Sequence, residues 1–143
     1  MMNIINGNIL DIEHGVIVHQ VNCMGVMGSG LALQIRKKYP EVYDEYLKIS
    51  HPNVRGRCQI VQTSNPNLKI ANIFGQIGYG RYERHTDYSL LENGLLELSE
   101  MVCDSEIYIP HGIGCGLGGG DWRIVKGVIE KVIPDCTIVK FGG

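Results

Sequence analysis

No apolar run in these 143 residues is long enough to cross a bilayer, which takes about 20 consecutive apolar residues. The opening MMNIING has no basic stretch followed by an apolar core, so no secretory leader is expected. A marked excess of either charge is missing too: the formal net charge is −2 and the pI about 6.2. That balance argues against a broad nucleic-acid surface, because a phosphate backbone calls for a basic patch. The one basic cluster, Arg36-Lys37-Lys38, falls at the end of an expected helix, where cations are favoured anyway. Five cysteines, odd in number and without tight spacing, give no disulfide framework and suit free thiols in a reducing, cytoplasmic setting. Internal repeats and low-complexity segments are absent, and the length reads as one compact domain over 1–143.

Two nucleotide signatures are also missing. No glycine loop runs into Gly-Lys-Ser/Thr, which excludes a Walker A site. GVMGSG has the wrong glycine spacing for the dinucleotide fingerprint, and no acidic residue ends a second strand to take a ribose. A conventional NAD-dependent dehydrogenase is therefore disfavoured, and no cofactor is called for. His19 with Cys23 and His111 with Cys115 repeat an H-x-x-x-C spacing that invites a zinc reading. Both cysteines sit in glycine loops, where a closed metal site would block a ligand crevice. The expectation is no metal and buried free thiols.

What is there is an ordinary soluble composition, 44% hydrophobic and 20% charged, with 19 glycines clumped rather than spread. Strands are expected over 2–5 and 9–10, broken at Asn6-Gly7-Asn8, and over 15–22, 57–63, 69–74, 106–109 and 136–141. Helices are expected over 31–38, 41–49, 88–103 and 122–133. The alternation predicts an α/β fold, a three-layer α/β/α sandwich. The short turn at 64–67 makes a hairpin of its flanking strands, so the sheet is expected to be mixed.

Two stretches organise the chain. In GVIVHQVNCMGVMGSGLALQIRKKYP a buried strand runs into glycines and then into a helix. Glycines let backbone approach a ligand closely, and a helix start offers free N–H groups and the positive end of a dipole. HGIGCGLGGGDW repeats the logic after the strand ending at Pro110. Two such loops at the C-terminal ends of strands suit a crevice for a diphosphate. A third loop, 75–87, is too long and too rich in Gly, Tyr and Arg for a plain connection.

NGNIL, HQVNCMGVMGSGLALQIRKKYP, ANIFGQ and IPHGIGCGLGGGDW, in that order, resemble the macrodomain family. The likeness is to the branch holding terminal ADP-ribose protein glycohydrolase, ADP-ribose-1''-phosphate phosphatase and the DNA ADP-ribosyl glycohydrolase antitoxins. It implies a macrodomain fold and, as partner, ADP-ribose, a derivative of it, or an ADP-ribosylated macromolecule. Position by position it implies that Gly7, Asn8 and Ile9 hold adenine and that Asn22, beside Val21, lies near the distal ribose. Gly28, Ser29, Gly30 and Leu31 match the first phosphate loop. Ile113, Gly114, Cys115, Gly116, Leu117 and Gly118 match the loop around the diphosphate and distal ribose, and Phe141 matches an aromatic against adenine. The glycohydrolases of this branch use a lysine where this chain has Gly75-Gln76, and the protein glycohydrolase has an Asp where this chain has Gly118. Those departures favour phosphatase activity or plain binding over a lysine-dependent glycohydrolase.

Three residues are candidates for catalysis, each with a simpler reading. Asp121 either caps the helix that follows it or acts as a base at the distal ribose. His85 and Asp87 either are loop polarity, with Asp87 as a cap, or orient a water at a terminal phosphate. Arg81 and Arg84 are candidate phosphate clamps, and Tyr79 and Tyr82 candidate pocket walls. Trp122 reads as a core anchor.

Overall fold

The computed structural model describes residues 2–80 and 84–142, so Arg81 and Tyr82 lie outside the described residues. Six strands are present: β1 (Asn3–Asn6), β2 (Gly15–Gln20), β3 (Cys58–Gln62), β4 (Leu68–Ile73), β5 (Ile107–Pro110) and β6 (Thr137–Lys140). Four helices accompany them: α1 (Gly30–Lys38), α2 (Pro40–Ile49), α3 (Tyr88–Met101) and α4 (Trp122–Val132). The strands form one sheet in the order β1-β6-β5-β2-β4-β3. Every pairing is parallel except β3 with β4, the expected hairpin, whose register runs from Cys58↔Ile73 to Gln62↔Lys69. The sheet is mixed and the fold is α/β.

Side-chain alternation along the central strands explains the two helical layers. Val16 and Val18 of β2 join Ile73, Ile109 and Ile138 in one core, which also holds Leu91, Leu95 and Leu98 of α3 and Val125 and Ile129 of α4. Ile17 and Val21 point the other way, into a core shared with Ile35 of α1 and Val42 and Tyr46 of α2. Leu91, Leu95 and Leu98 are fully buried on one stripe. Each contributes roughly 1.5–3 kcal/mol relative to exposure. Gly94 lies on the same stripe because the helix touches the sheet there: a Cβ would come within 2.5 Å of Ile73 Cγ2.

Two expected elements differ from the structure. Residues 9–10 are not a strand but part of a 3-10 turn, Ile9–Asp11, because Asn8 Oδ1 accepts the Leu10 N–H and bends the chain. The second strand stops at Gln20, because the side chain of Asn22 takes over the next backbone amides.

Connectivity places the crevice. From β2 the chain leaves toward the α1/α2 layer, and from β5, its parallel neighbour, toward the α3/α4 layer. The two loops therefore part to opposite faces of the sheet and leave a gap at the strands' C-terminal ends, the switch-point position for ligands in open α/β sheets.

Candidate functional site

A cleft of about 510 Å³ opens at that switch point, inside the range of small-molecule sites. One wall is the end of β2 and the start of α1, with Asn22, Val26, Gly28, Ser29 and Leu31. The other is the β5–α4 loop, with His111, Ile113, Gly114, Gly116, Leu117 and Gly118. Gln76, Tyr79 and Gly80 border one end. Among the described lining residues there is no Lys, Arg, Asp or Glu. The polar groups of that described lining are neutral side chains and backbone amides.

The first wall supplies them through an open helix end. Asp87 caps α3 and Asp121 caps α4, each through its carboxylate, but Ser29 makes no side-chain cap on α1. The first N–H groups of α1 face the cleft with the positive end of the helix dipole. Asn22 holds the preceding loop: its Oδ1 accepts from Met24 N–H at 2.9 Å, and its Nδ2 donates to Val26 O at 2.7 Å. The buried Tyr46 hydroxyl donates to Asn22 and accepts the Val26 N–H at 3.1 Å, so α2 anchors the loop from below.

The second wall is pinned by a carboxamide clamp. Thr86 Oγ1 donates to Gly114 O at 2.7 Å and accepts from Gln20 Nε2 at 2.8 Å; Gln20 Nε2 also donates to Gln76 Oε1 at 2.6 Å. Gln76 Nε2 in turn donates to Gly78 O at 2.7 Å. The clamp ties the end of β2, the 75–87 loop and the β5–α4 loop at one point. It also explains two glycines: at Gly114, with φ +74°, a Cβ would meet Thr86 and Gln20 at 3.1 and 3.2 Å, and at Gly118 it would meet Thr86 Oγ1 at 2.5 Å. With those positions bare, the amides of Gly114, Gly116 and Leu117 have no partner among the described residues.

One buried histidine sits at the floor. His19 is 2% exposed, and its Nε2 pairs with Asn72 Oδ1. Asn72 Nδ2 donates to Gln59 Oε1, and Gln59 Nε2 to the carbonyl of Glu45. A carbonyl only accepts, so the relay fixes each amide and puts the imidazole proton on Nε2. Burial pushes the pKa of His19 down to about 4, so it is neutral at pH 7; its Nδ1 has no partner among the described residues. His111, at the cleft lip, lies 4.5 Å from Trp122, ring to ring; desolvation and then the charges of Lys140 and Lys126 hold its pKa below the ordinary value.

The structure brings together Val21, Asn22, Gly28, Ser29, Gly30, Leu31, Ile113, Gly114, Gly116, Leu117 and Gly118. Cys115 is in the same loop, but its Sγ turns to Ile113 O and packs on the core. Gly7, Asn8, Ile9 and Phe141 are not brought to the cleft lining. Asn8 caps the 3-10 turn, Ile9 is in the core, and Phe141 is 79% exposed. Asp87 and Asp121 are also off the lining, their carboxylates engaged as caps. Asp121 further pairs with Arg123 at 2.9 Å. His85 is not itself in the lining, but its ring lies beside Gly78 and Gly80, the second of which lines the cleft. Arg84 turns away, over the ring of Tyr88 at 4.7 Å, whereas Tyr79 lines the mouth. Trp122 is only partly buried, against His111 and the core. Sequence reasoning missed Gln20 and Thr86, met Gln76 only as a departure from the lysine of the resembled branch, and weighed His111 only as a metal ligand. The parity of His19 with Ile17 and Val21 in β2 was a usable signal for its burial; for the glutamines no local signal exists.

An open α/β sheet with two glycine loops meeting over an uncapped helix end defines an anion-site domain of the switch-point class. The Macro domain model matches residues 18–129, and the chain belongs to that family. It is 34% identical to the ADP-ribose 1''-phosphate phosphatase of Candida albicans, over 81% of this chain and 80% of that protein. It is 30% identical to the DNA ADP-ribosyl glycohydrolase of Thermus aquaticus over 93% of this chain, which spans only 38% of that longer protein. The macrodomain of Mycobacterium tuberculosis DarG superposes with a TM-score of 0.80 at 26% identity, covering 99% of this chain and 97% of that one.

Proposed function

We propose that the cleft binds ADP-ribose or a close derivative and that the chain hydrolyses the bond at its distal ribose. Release of phosphate from ADP-ribose 1''-phosphate is the reaction the site supports best. The observation that carries this reading is the meeting of the uncapped α1 N-terminus with the free amides of Gly114, Gly116 and Leu117 in a cleft free of charged side chains among its described lining. Such a cleft holds phosphate oxygens through backbone dipoles and stabilises the charge that develops on them. The relative named as a phosphatase is matched over four fifths of its length. By the resemblance, Gly75-Gln76 stands where the glycohydrolases of that branch carry a lysine, and Gly118 where the protein glycohydrolase carries an aspartate.

Catalysis on this reading is positioning plus charge stabilisation, with water as the nucleophile at phosphorus. Of the three candidate catalytic side chains, His85 is the one beside the cleft, and it is assigned to orient or deprotonate that water. Asp121 and Asp87 serve their helices.

Calorimetry with ADP-ribose tests the binding claim, and absence of binding at millimolar ligand sinks it. Parallel incubation with ADP-ribose 1''-phosphate, ADP-ribosylated protein and ADP-ribosylated DNA tests the reaction. Phosphate release alone supports the proposal; release of ADP-ribose from protein or DNA replaces it with a glycohydrolase, and binding without turnover replaces it with a sequestering module. His85→Ala is expected to slow phosphate release at least tenfold, with Asp87→Ala and Asp121→Ala near the unmodified rate.

A further inference from the structure

The orientation of the Gln76 carboxamide is settled by groups that can only accept. Gly114 O takes the Thr86 hydroxyl proton, so Thr86 Oγ1 must accept from Gln20 Nε2. The second Gln20 N–H then goes to Gln76 Oε1. At the other end Gly78 O takes one Gln76 N–H. Reversing any amide in this chain would set acceptor against acceptor. One N–H of Gln76 is left over, with no partner among the described residues, on a residue that lines the cleft.

Its place in the cleft is equally defined. Cys23 N–H donates to Ile77 O at 3.0 Å and Cys23 Sγ to Gln76 O at 3.5 Å, so Gln76 is at the Asn22 end of the first wall. A Cβ on Gly118, from the second wall, would come within 3.2 Å of Gln76 Oε1. Gln76 is thus a side-chain donor where the two walls converge, beyond the open end of α1.

We propose that Gln76 is a specificity residue: its free Nε2–H donates to an oxygen on C1'' of the distal ribose, and the Gln20–Thr86–Gly114 clamp holds that N–H toward the ligand. This rests on the ADP-ribose reading above. A neutral amide donor serves a hydroxyl or a phosphate oxygen at that carbon alike, and its action does not depend on pH. A nucleoside diphosphate without the distal ribose offers it nothing.

The test is calorimetry with ADP-ribose and with ADP on three proteins: unmodified, Gln76→Glu and Thr86→Val. Gln76→Glu keeps an acceptor for Gln20 but removes both N–H groups. It is expected to weaken ADP-ribose at least tenfold more than it weakens ADP, because the new carboxylate repels the diphosphate that the two share and only ADP-ribose also loses a donor. Thr86→Val breaks the clamp and leaves Gln76 in place; it is expected to weaken both ligands together, because it frees the loop that holds the diphosphate. A parallel loss of ADP and ADP-ribose in Gln76→Glu makes the residue merely structural and overturns the proposal, as does an unchanged affinity for both. Failure of the unmodified protein to bind either ligand at millimolar concentration overturns the ADP-ribose reading, and this inference with it. Unmodified binding of both ligands followed by either failure in Gln76→Glu overturns the inference alone.

Discussion

Replacing Tyr46 by Phe isolates one atom. The Tyr46 hydroxyl is fully buried, donates to Asn22 Oδ1 at 2.6 Å with Asn22 O at 2.9 Å, and accepts the Val26 N–H at 3.1 Å. Phenylalanine keeps the ring and its stacking on Phe74, at 5.8 Å between centroids and 17° between planes. What goes is a net contribution of about 1 kcal/mol for the hydrogen bond, and the groups left behind cost about 1–3 kcal/mol more. Asn22 retains its Met24 and Val26 bonds, which moderates the second figure and points to a total of about 2 kcal/mol. For a chain of this size that is a fall in Tm of roughly 4–8 °C. The consequence for binding is more diagnostic than the consequence for stability. The hydroxyl ties α2 to both ends of the 22–26 turn, while Tyr43 and Ser50 hold Gly25 between them, and that turn delivers the α1 N-terminus to the cleft. Calorimetry of the folded variant well below its Tm is therefore expected to show roughly tenfold weaker ADP-ribose binding. A lowered Tm with unchanged affinity would refute the claim that α2 sets the phosphate wall, and an unchanged Tm would refute the hydrogen-bond accounting itself.

Three further perturbations follow from the same structure. His19 has a folded pKa of about 4 against an ordinary 6.5, so the unfolded chain binds the extra proton between those values. Stability is full above pH 6.5, falls as the pH drops toward 4 by up to about 3 kcal/mol, and is flat in this term below that. Urea midpoints measured from pH 7 to 4 are expected to fall less steeply in His19→Gln; identical slopes would remove His19 from the account. Gly94→Ala gains helix propensity but drives a Cβ to 2.5 Å from Ile73 Cγ2, and overpacking of about 1–3 kcal/mol outweighs the roughly 1 kcal/mol gained. A lower urea midpoint is expected, and a raised one would show that α3 can slide off the sheet there. Gly118→Ala sets a Cβ 2.5 Å from Thr86 Oγ1 and 2.8 Å from Gly114 O, and is expected to weaken ADP, as measured by calorimetry, at least tenfold with the chain still folded.

The strands, helices and mixed sheet were legible because they depend on local period: alternation in Val16-Ile17-Val18, a leucine stripe in α3, and a turn at 64–67. Caps were legible for the same reason, since Asp87 and Asp121 act within three residues of themselves. The same locality gave the capping reading of those carboxylates, and the structure shows both engaged as caps. The clamp was not legible. Gln20, Gln76 and Thr86 are 56 and 66 residues apart along the chain, carry no charge, and meet only through the β2–β4 register and the loop that follows. Asn8 and Phe141 came from resemblance alone, and here one is tied into a turn and the other faces solvent.

The parting of the chain at β2 and β5 means that the two walls of the cleft are supported by different hydrophobic cores, one under α1 and α2 and the other under α3 and α4. Between these cores lie the thickness of the sheet and, at the cleft, the clamp of Gln20, Gln76 and Thr86. A nucleotide held by both walls acts as a strut between them, so its binding free energy is shared by two packing units at once. At a concentration of 100 Kd that is about 2.7 kcal/mol added to global stability. Amide exchange should then slow on both faces of the sheet together, in α2 as well as in α4, although no described residue of either helix lines the cleft.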